Sequence, residues 1–415
     1  MRTSVNRAAE IRRRRRKRGL ETDLGVLRTI LALLVVGSHL HAFGGAAFAV
    51  KSFFIISGFY MALVINTRYW ALPVSSFYAS RLLRLLPLYW VVGLLTLVAE
   101  IVLVPRGQYF DKLASPLAYG AGLEFASLPL PIILYIGLSL ATMLGLDTGL
   151  WIGFDRVTGA LSFAPDFAPR VTSVVALNPV PQGWTIGLEL LFYALAPFVV
   201  RRSIWLIGSL CVLSLAFRLT LIAVGFSGEP WNRALFPSEL IYFLLGVLGY
   251  RLYVVIPRLR LSVRTQTLFA LAVPVLAVVF WPVEHFIRGS LVWQVWNTAP
   301  YLLIAAGIPF LFKLTKDNAL DANIGELSYP IYMCHVLVLG LISWSPLNRA
   351  PFIGSGWPRY IFTIALVIAA AFILDRVIVL PIDKLRVRFG AKNRVEPDAD
   401  LANLHADLPA GTAAR

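Results

Sequence analysis

An all-α, polytopic transmembrane bundle is the fold class this chain predicts, and three observations predict it. Hydrophobic residues fill 58% of the 415 positions and charged residues only 14%, whereas a soluble domain is about half apolar and about a quarter charged. Apolar runs of about twenty residues recur along the chain, each long enough to cross a bilayer as a helix. The loops between them are short, and none has the length of a sizeable soluble domain. The net charge of +16 is concentrated, with seven cations in RRRRRKR at residues 12–18. Beside so much membrane, that run suits anionic headgroups better than nucleic acid. Membrane lipids are therefore expected partners, and nucleic acid is not.

Residues 1–22 form a basic N-terminal arm. Ten spans follow, at about 24–44, 49–67, 83–104, 184–200, 203–225, 237–256, 266–283, 297–315, 327–345 and 358–381. Ala47-Phe48-Ala49 after the first run imitates a signal-peptidase site, but that run is too long for a signal peptide and holds Arg28 and His39. An eleventh apolar run, 127–146, is broken by Pro129 and Pro131. Loop cations decide its placement. With the N-terminus in the cytoplasm and 127–146 not crossing, Arg68, Arg81, Arg84, Arg201, Arg202, Arg251, Lys313 and the cations after residue 383 all lie inside. A crossing there would move every one from Arg201 onward outside. Both termini are thus expected in the cytoplasm, with 127–146 a re-entrant or interfacial element. The Trp-, Phe- and Pro-containing region 147–183 reads as an external lid or platform. Residues 386–415 form a cytoplasmic tail, whose acidic, alanine-rich end lacks the apolar periodicity of a folded element. Cys211 and Cys334 fall in apolar spans, make no metal spacing and read as packing residues; no metal is expected.

Several polar residues sit where a membrane disfavours them, which makes them functional candidates. Arg28 and His39 are eleven residues apart, about three helical turns, so they share one face about 16 Å apart along the axis. An imidazole there can take a proton from an incoming hydroxyl, or carry an acyl group briefly. The structural alternatives are a buried histidine satisfied by a carbonyl and an arginine that snorkels to headgroups. His41 points to a different face and reads as a rim residue. Arg81 and Arg84, i and i+3 on a helix start that ends at Pro87, suit a polyphosphate, or else serve only as a positive-inside anchor. Glu189 opens the fourth span, with Tyr193 one turn on; Arg28, Lys51, Arg218 or His39 can supply its partner. His335 lies inside span nine as a second base or a packed polar residue. Asp375 and Arg376 read as a structural pair.

Five blocks, in order, resemble the acyltransferase-3 family: Arg28 and His39 with ten residues between them, FFIISGFYM (53–61), FYASRLLRLLPLYW (77–90), GWTIGLELLFYALAP (183–197) and GELSYPIYMCH (325–335). The resemblance covers about residues 23–385 and marks that stretch as the acyltransferase domain. It implies an integral membrane enzyme that moves an acyl group, most often acetyl, from cytoplasmic acyl-CoA to a hydroxyl of an extracytoplasmic glycan. Arg28 and His39 match the family's active-site pair, Arg81 and Arg84 its paired-arginine motif, and Trp184 and Glu189 its tryptophan-to-glutamate motif. On that reading His39, Arg28 and Glu189 are catalytic, with Glu189 orienting or charging His39. Arg81, Arg84 and Arg28 hold the donor, and Trp184, Lys51 and His335 face the acceptor. Lys51-Ser52 departs from the family, which often has an acidic or small residue before the Phe pair. The resemblance places the protein among free-standing exopolysaccharide and O-antigen acetylases of the bacterial inner membrane, with polysaccharide-biosynthesis machinery as a possible partner. A glycan or lipid-linked-precursor transporter is the alternative, and would show no acyl-CoA dependence.

Overall fold

The computed structural model describes residues 24–42, 44–103, 129–155, 158–163, 171–226, 230–231, 233–259, 261–287, 299–344 and 356–391. Helices sit at all ten expected spans: α1 (Gly25–His39), α2 (Ala46–Thr67), α3 (Val74–Leu103), α5 (Trp184–Val199), α6 (Ile204–Ala223), α7 (Phe236–Val255), α8 (Val263–Ile287), α9 (Ala299–Thr315), α11 (Ser328–Trp344) and α12 (Trp357–Leu374). Among the described residues, six helical stretches are long and apolar enough to cross a membrane by length and composition. Between α3 and α5 lies α4 (Leu130–Thr142), whose thirteen residues rise only about 20 Å. A short helix, α10 (Ala319–Glu326), precedes α11. After α12 the chain makes a π turn at Asp375–Val379 and continues as α13 (Leu380–Ala391), past the expected boundary at residue 385. The basic arm and the acidic end of the tail lie outside the described residues.

The bundle is organised around α2. Its hydrophobicity has almost no directional preference, and Phe48 through Ile65 are buried nearly without interruption, as expected of a helix surrounded by others. The signal-peptidase look-alike, Ala47 to Ala49, thus lies in the first turn of a core helix, with Phe48 and Ala49 buried. Glycines let α2 and α7 approach closely. A Cβ on Gly58 would lie 1.9 Å from the Phe243 carbonyl, and one on Gly246 would lie 1.9 Å from that of Ile55. Lipid offers apolar side chains the same surroundings as a neighbouring helix does. Small residues that permit close backbone packing are therefore what favours association. The outer helices show the converse: α6 leaves Val212, Leu213 and Leu219 exposed.

The structure adds detail to three sequence expectations. The helix carrying Arg81 and Arg84 begins at Val74 rather than 83, and Pro87 lies inside it instead of ending it. Proline removes the backbone bond to the Leu83 carbonyl; separately, the Tyr329 hydroxyl donates to the Leu85 carbonyl at 2.9 Å and ties this turn to α11. The 147–183 region, read as a lid or platform, carries a small sheet: β1 (Ile152–Asp155) pairs antiparallel with β2 (Leu161–Phe163) and β3 (Val171–Ser173). Asp375 and Arg376 form only a loose pair at 3.8 Å, with the arginine half-exposed and the carboxyl buried.

Arginines read as topological signals also cap helices. Arg201 donates to the Ile65 carbonyl at the end of α2, and Arg251 to the Val200 carbonyl at the end of α5, where terminal carbonyls favour a cation. The start of α1 is held from another helix. Asp321 accepts from the Gly25 N–H at 2.7 Å and from the Val26 N–H at 3.0 Å, while Asn318 caps Asp321's own helix. Leu24, immediately before, adopts a left-handed φ of 58°, strained for leucine and fixed by this clamp. Asp321→Ala removes both acceptors and should cost about 2 kcal/mol. Thermal unfolding in detergent should show a lower midpoint; an unchanged midpoint would rule out the clamp.

Candidate active site

The fold brings four of the sequence candidates to one cavity. Arg28, Arg81, Arg84 and Glu189 line it, with Ser57 and Tyr60 of α2, Thr185 and Tyr193 of α5, and Ser328, Tyr329 and Tyr332 of α11. Its empty volume is ≈ 810 Å³, part of it open to the surroundings. Arg28 is 8% exposed: it lines the cavity instead of snorkelling. Arg81 is almost wholly buried, beside the Phe77 ring, whereas Arg84 is half-buried. Their i, i+3 spacing puts both on the cavity side of α3.

Glu189 accepts from the Ser57 hydroxyl at 2.6 Å and from the Tyr193 hydroxyl at 2.5 Å. Its i, i+4 relation to Tyr193 follows from helical period; Ser57 comes from α2. Arg218, one suggested partner, instead pairs with Glu239 at 2.7 Å. Gly187 in the same motif has a packing reason, since a Cβ there would meet the Asp147 carboxylate at 2.7 Å. Asp147 lies in the loop before β1, and burial pushes its carboxyl above the ordinary value.

At the Thr185 level the cavity meets a hydrogen-bonded cluster. The Tyr332 hydroxyl pairs with that of Thr185 at 2.8 Å and donates to the Gln182 carbonyl at 3.1 Å. One turn beyond Tyr332 on α11 is His335, fully buried, and against it lies His39 from the end of α1. The His39 Nδ1 and His335 Nε2 are 2.8 Å apart. Their rings are nearly parallel, with centroids 4.9 Å apart, the geometry of an edge-to-edge hydrogen bond rather than face-to-face stacking. The tautomers follow from the outer partner. His335 Nδ1 sits 2.6 Å from the Tyr332 carbonyl, which can only accept, so Nδ1 carries the proton. In the neutral pair His335 Nε2 then accepts from His39 Nδ1–H. His39 Nε2 is left with the lone pair, as a proton acceptor.

This geometry replaces the expected link between Glu189 and His39. Glu189 faces Ser57 and Tyr193 inside the cavity, and the group that orients His39 is His335. Two other candidates lie apart from the cavity lining. Lys51 is buried beside the Tyr242 and Tyr301 rings, 5.3 and 5.8 Å from their centroids, and within electrostatic reach of Glu239. Trp184 is buried beneath the guanidinium of Arg233, 4.8 Å away. Sequence reasoning passed over Ser57, Thr185, Tyr332 and Arg233. Ser57 and Tyr332 lie inside quoted motifs, and the i−3 spacing of Tyr332 from His335 was an available signal. Arg233 sits in a loop with no pattern to mark it.

Comparison with known proteins gives the family. The family model described as "Acyltransferase domain", that of the acyltransferase-3 family, matches residues 21–376. The chain belongs to the acyltransferase-3 family. It is therefore an integral, multi-pass membrane protein of acyltransferase type, and the match takes in the cavity and the histidine pair together. No curated protein and no solved structure matches the chain.

Proposed function

We propose that this acyltransferase-3 protein transfers an acyl group, acetyl in the first instance, from cytoplasmic acyl-CoA to a hydroxyl of an extracytoplasmic polysaccharide. The carrying observation is a cavity lined by Arg28, Arg81, Arg84 and Tyr332, the last of these one helical turn before His335 of the His39–His335 pair. The cations suit the phosphates of coenzyme A, and the largely apolar lining with the hydroxyls of Ser57, Thr185 and Tyr332 set into it suits the pantetheine arm. Arg28 aligns the arm, and His39 Nε2 takes the hydroxyl proton as the acceptor oxygen attacks the thioester carbon. The basic residues at the ends of α2, α5 and α7 support a cytoplasmic position for the donor entrance. The ten-span topology with both termini inside, the bacterial inner membrane and an association with polysaccharide-biosynthesis machinery belong to the same reading.

Deleting the gene and comparing the surface polysaccharide by mass spectrometry tests it directly. Loss of one acyl increment, restored by the wild-type gene, is expected; an unchanged polysaccharide together with no release of coenzyme A by the purified protein favours the transporter. The donor site has its own test. Arg81 is too buried for a clean substitution, but Arg84 is half-buried. Arg84→Ala should raise KM for acetyl-CoA about tenfold or more, through loss of one charge-assisted contact, with kcat nearly unchanged. An unaltered KM would remove Arg84 from the donor site.

A further inference from the structure

The proposed chemistry needs a cation where negative charge develops, and Arg28 is not in that place. It lies three helical turns from His39, about 16 Å along α1. The α6–α7 loop supplies one. Arg233 sits on a short turn in which the Arg233 and Ala234 N–H groups donate to the Pro230 carbonyl. The turn is anchored by Trp231, whose ring packs against Trp151 at 4.8 Å and Phe226 at 4.4 Å. The Arg233 guanidinium lies over the Trp184 ring. Thr185, next in the chain, binds the Tyr332 hydroxyl, and the Tyr332 ring is 5.8 Å from that of His335. Arg233 is thus held beside the Trp184–Thr185–Tyr332 cluster, outside the cavity lining itself, partly exposed and within electrostatic reach of His39 and Tyr332.

We propose that Arg233 is a further catalytic residue, which binds the oxyanion formed from the acyl carbonyl. This rests on the reading of His39 as the base. The acceptor oxygen bonds to the thioester carbon, its proton passes to His39 Nε2, and the carbonyl electron pair moves onto oxygen. Arg233 donates to that oxyanion. Collapse restores the carbonyl, breaks the carbon–sulfur bond and releases coenzyme A thiolate, which takes the proton back from His39. The aromatic packing of Trp231 and Trp184 holds the planar guanidinium before the charge appears, the condition under which such a donor accelerates the reaction most.

The test uses the full-length protein in nanodiscs, acetyl-CoA as donor and, as acceptor, surface polysaccharide extracted from the gene-deleted strain. Arg233→Gln should lower kcat about 10²–10³-fold with both KM values within about twofold of wild type. Arg233→Lys, which keeps the charge without the planar fork, should lose about tenfold and decides the matter if the glutamine variant is not recovered folded. Unchanged kcat in a folded variant overturns the assignment. So does a rise in acceptor KM at unchanged kcat, which would make Arg233 an acceptor-binding residue. An inactive wild-type protein would instead count against the acyl-transfer reading itself.

Discussion

Replacing His39 by alanine is expected to lower acyl transfer by about 10²–10⁴-fold, the range contributed by a positioned general base. The argument rests on where the protons sit. The Tyr332 carbonyl fixes the proton on His335 Nδ1, so His335 accepts from His39 and leaves His39 Nε2 basic. Removing His39 also strands a buried acceptor on His335, at a cost of about 1–3 kcal/mol. Activity must therefore be compared at equal amounts of folded protein. His335→Ala should reduce kcat as well, because an unoriented imidazole spends less time in the reactive tautomer. His335→Gln, whose amide oxygen can accept the same hydrogen bond, should recover part of the loss. Activity retained in His39→Ala at normal protein level would remove His39 from the chemistry. Equal loss in both His335 variants would mean that the imidazole itself, and not an acceptor at that position, is required.

Gly246→Val should leave little folded protein. A Cβ at this position falls 1.9 Å from the Ile55 carbonyl and 2.6 Å from the Phe59 nitrogen, both backbone atoms that cannot rotate away. Accommodation requires α2 and α7 to separate, which opens the packing of Phe54 and Phe192 on Phe243 as well. The expected cost is at least about 3 kcal/mol, a large share of the total stability of a typical protein at about 5–15 kcal/mol. Fluorescence-detected size exclusion should show loss of the monodisperse peak. Gly208→Val is the matched control, since the position on α6 has open space around it. Similar behaviour of the two variants would mean that the close crossing of α2 and α7 does not limit stability.

The class and the helical segments were legible in the sequence because apolar length is a local property. So was the placing of Arg28 and His39 on one face of α1, which needs only the 3.6-residue period. Arg81 with Arg84, and Glu189 with Tyr193, are neighbours for the same reason. Pairings between helices were not legible. His39 meets His335 from 296 positions away, Glu189 is met by Ser57, and Arg218 goes to Glu239 rather than to Glu189. A helix such as α2 is apolar all round, so hydropathy cannot say which of its faces meets which neighbour. Small-residue crossings such as Gly58 and Gly246 make that choice, and with it which polar groups become partners. Arg233 was hidden for a further reason: an arginine in a loop between two helices looks solvated until the packing of Trp231 and Trp184 is seen to hold it. The sequence by itself thus determined a membrane acyltransferase bundle with its charged residues on particular helix faces. Tertiary packing decided which of those faces meet, because in a membrane close backbone approach, rather than hydrophobicity, discriminates one helix pair from another.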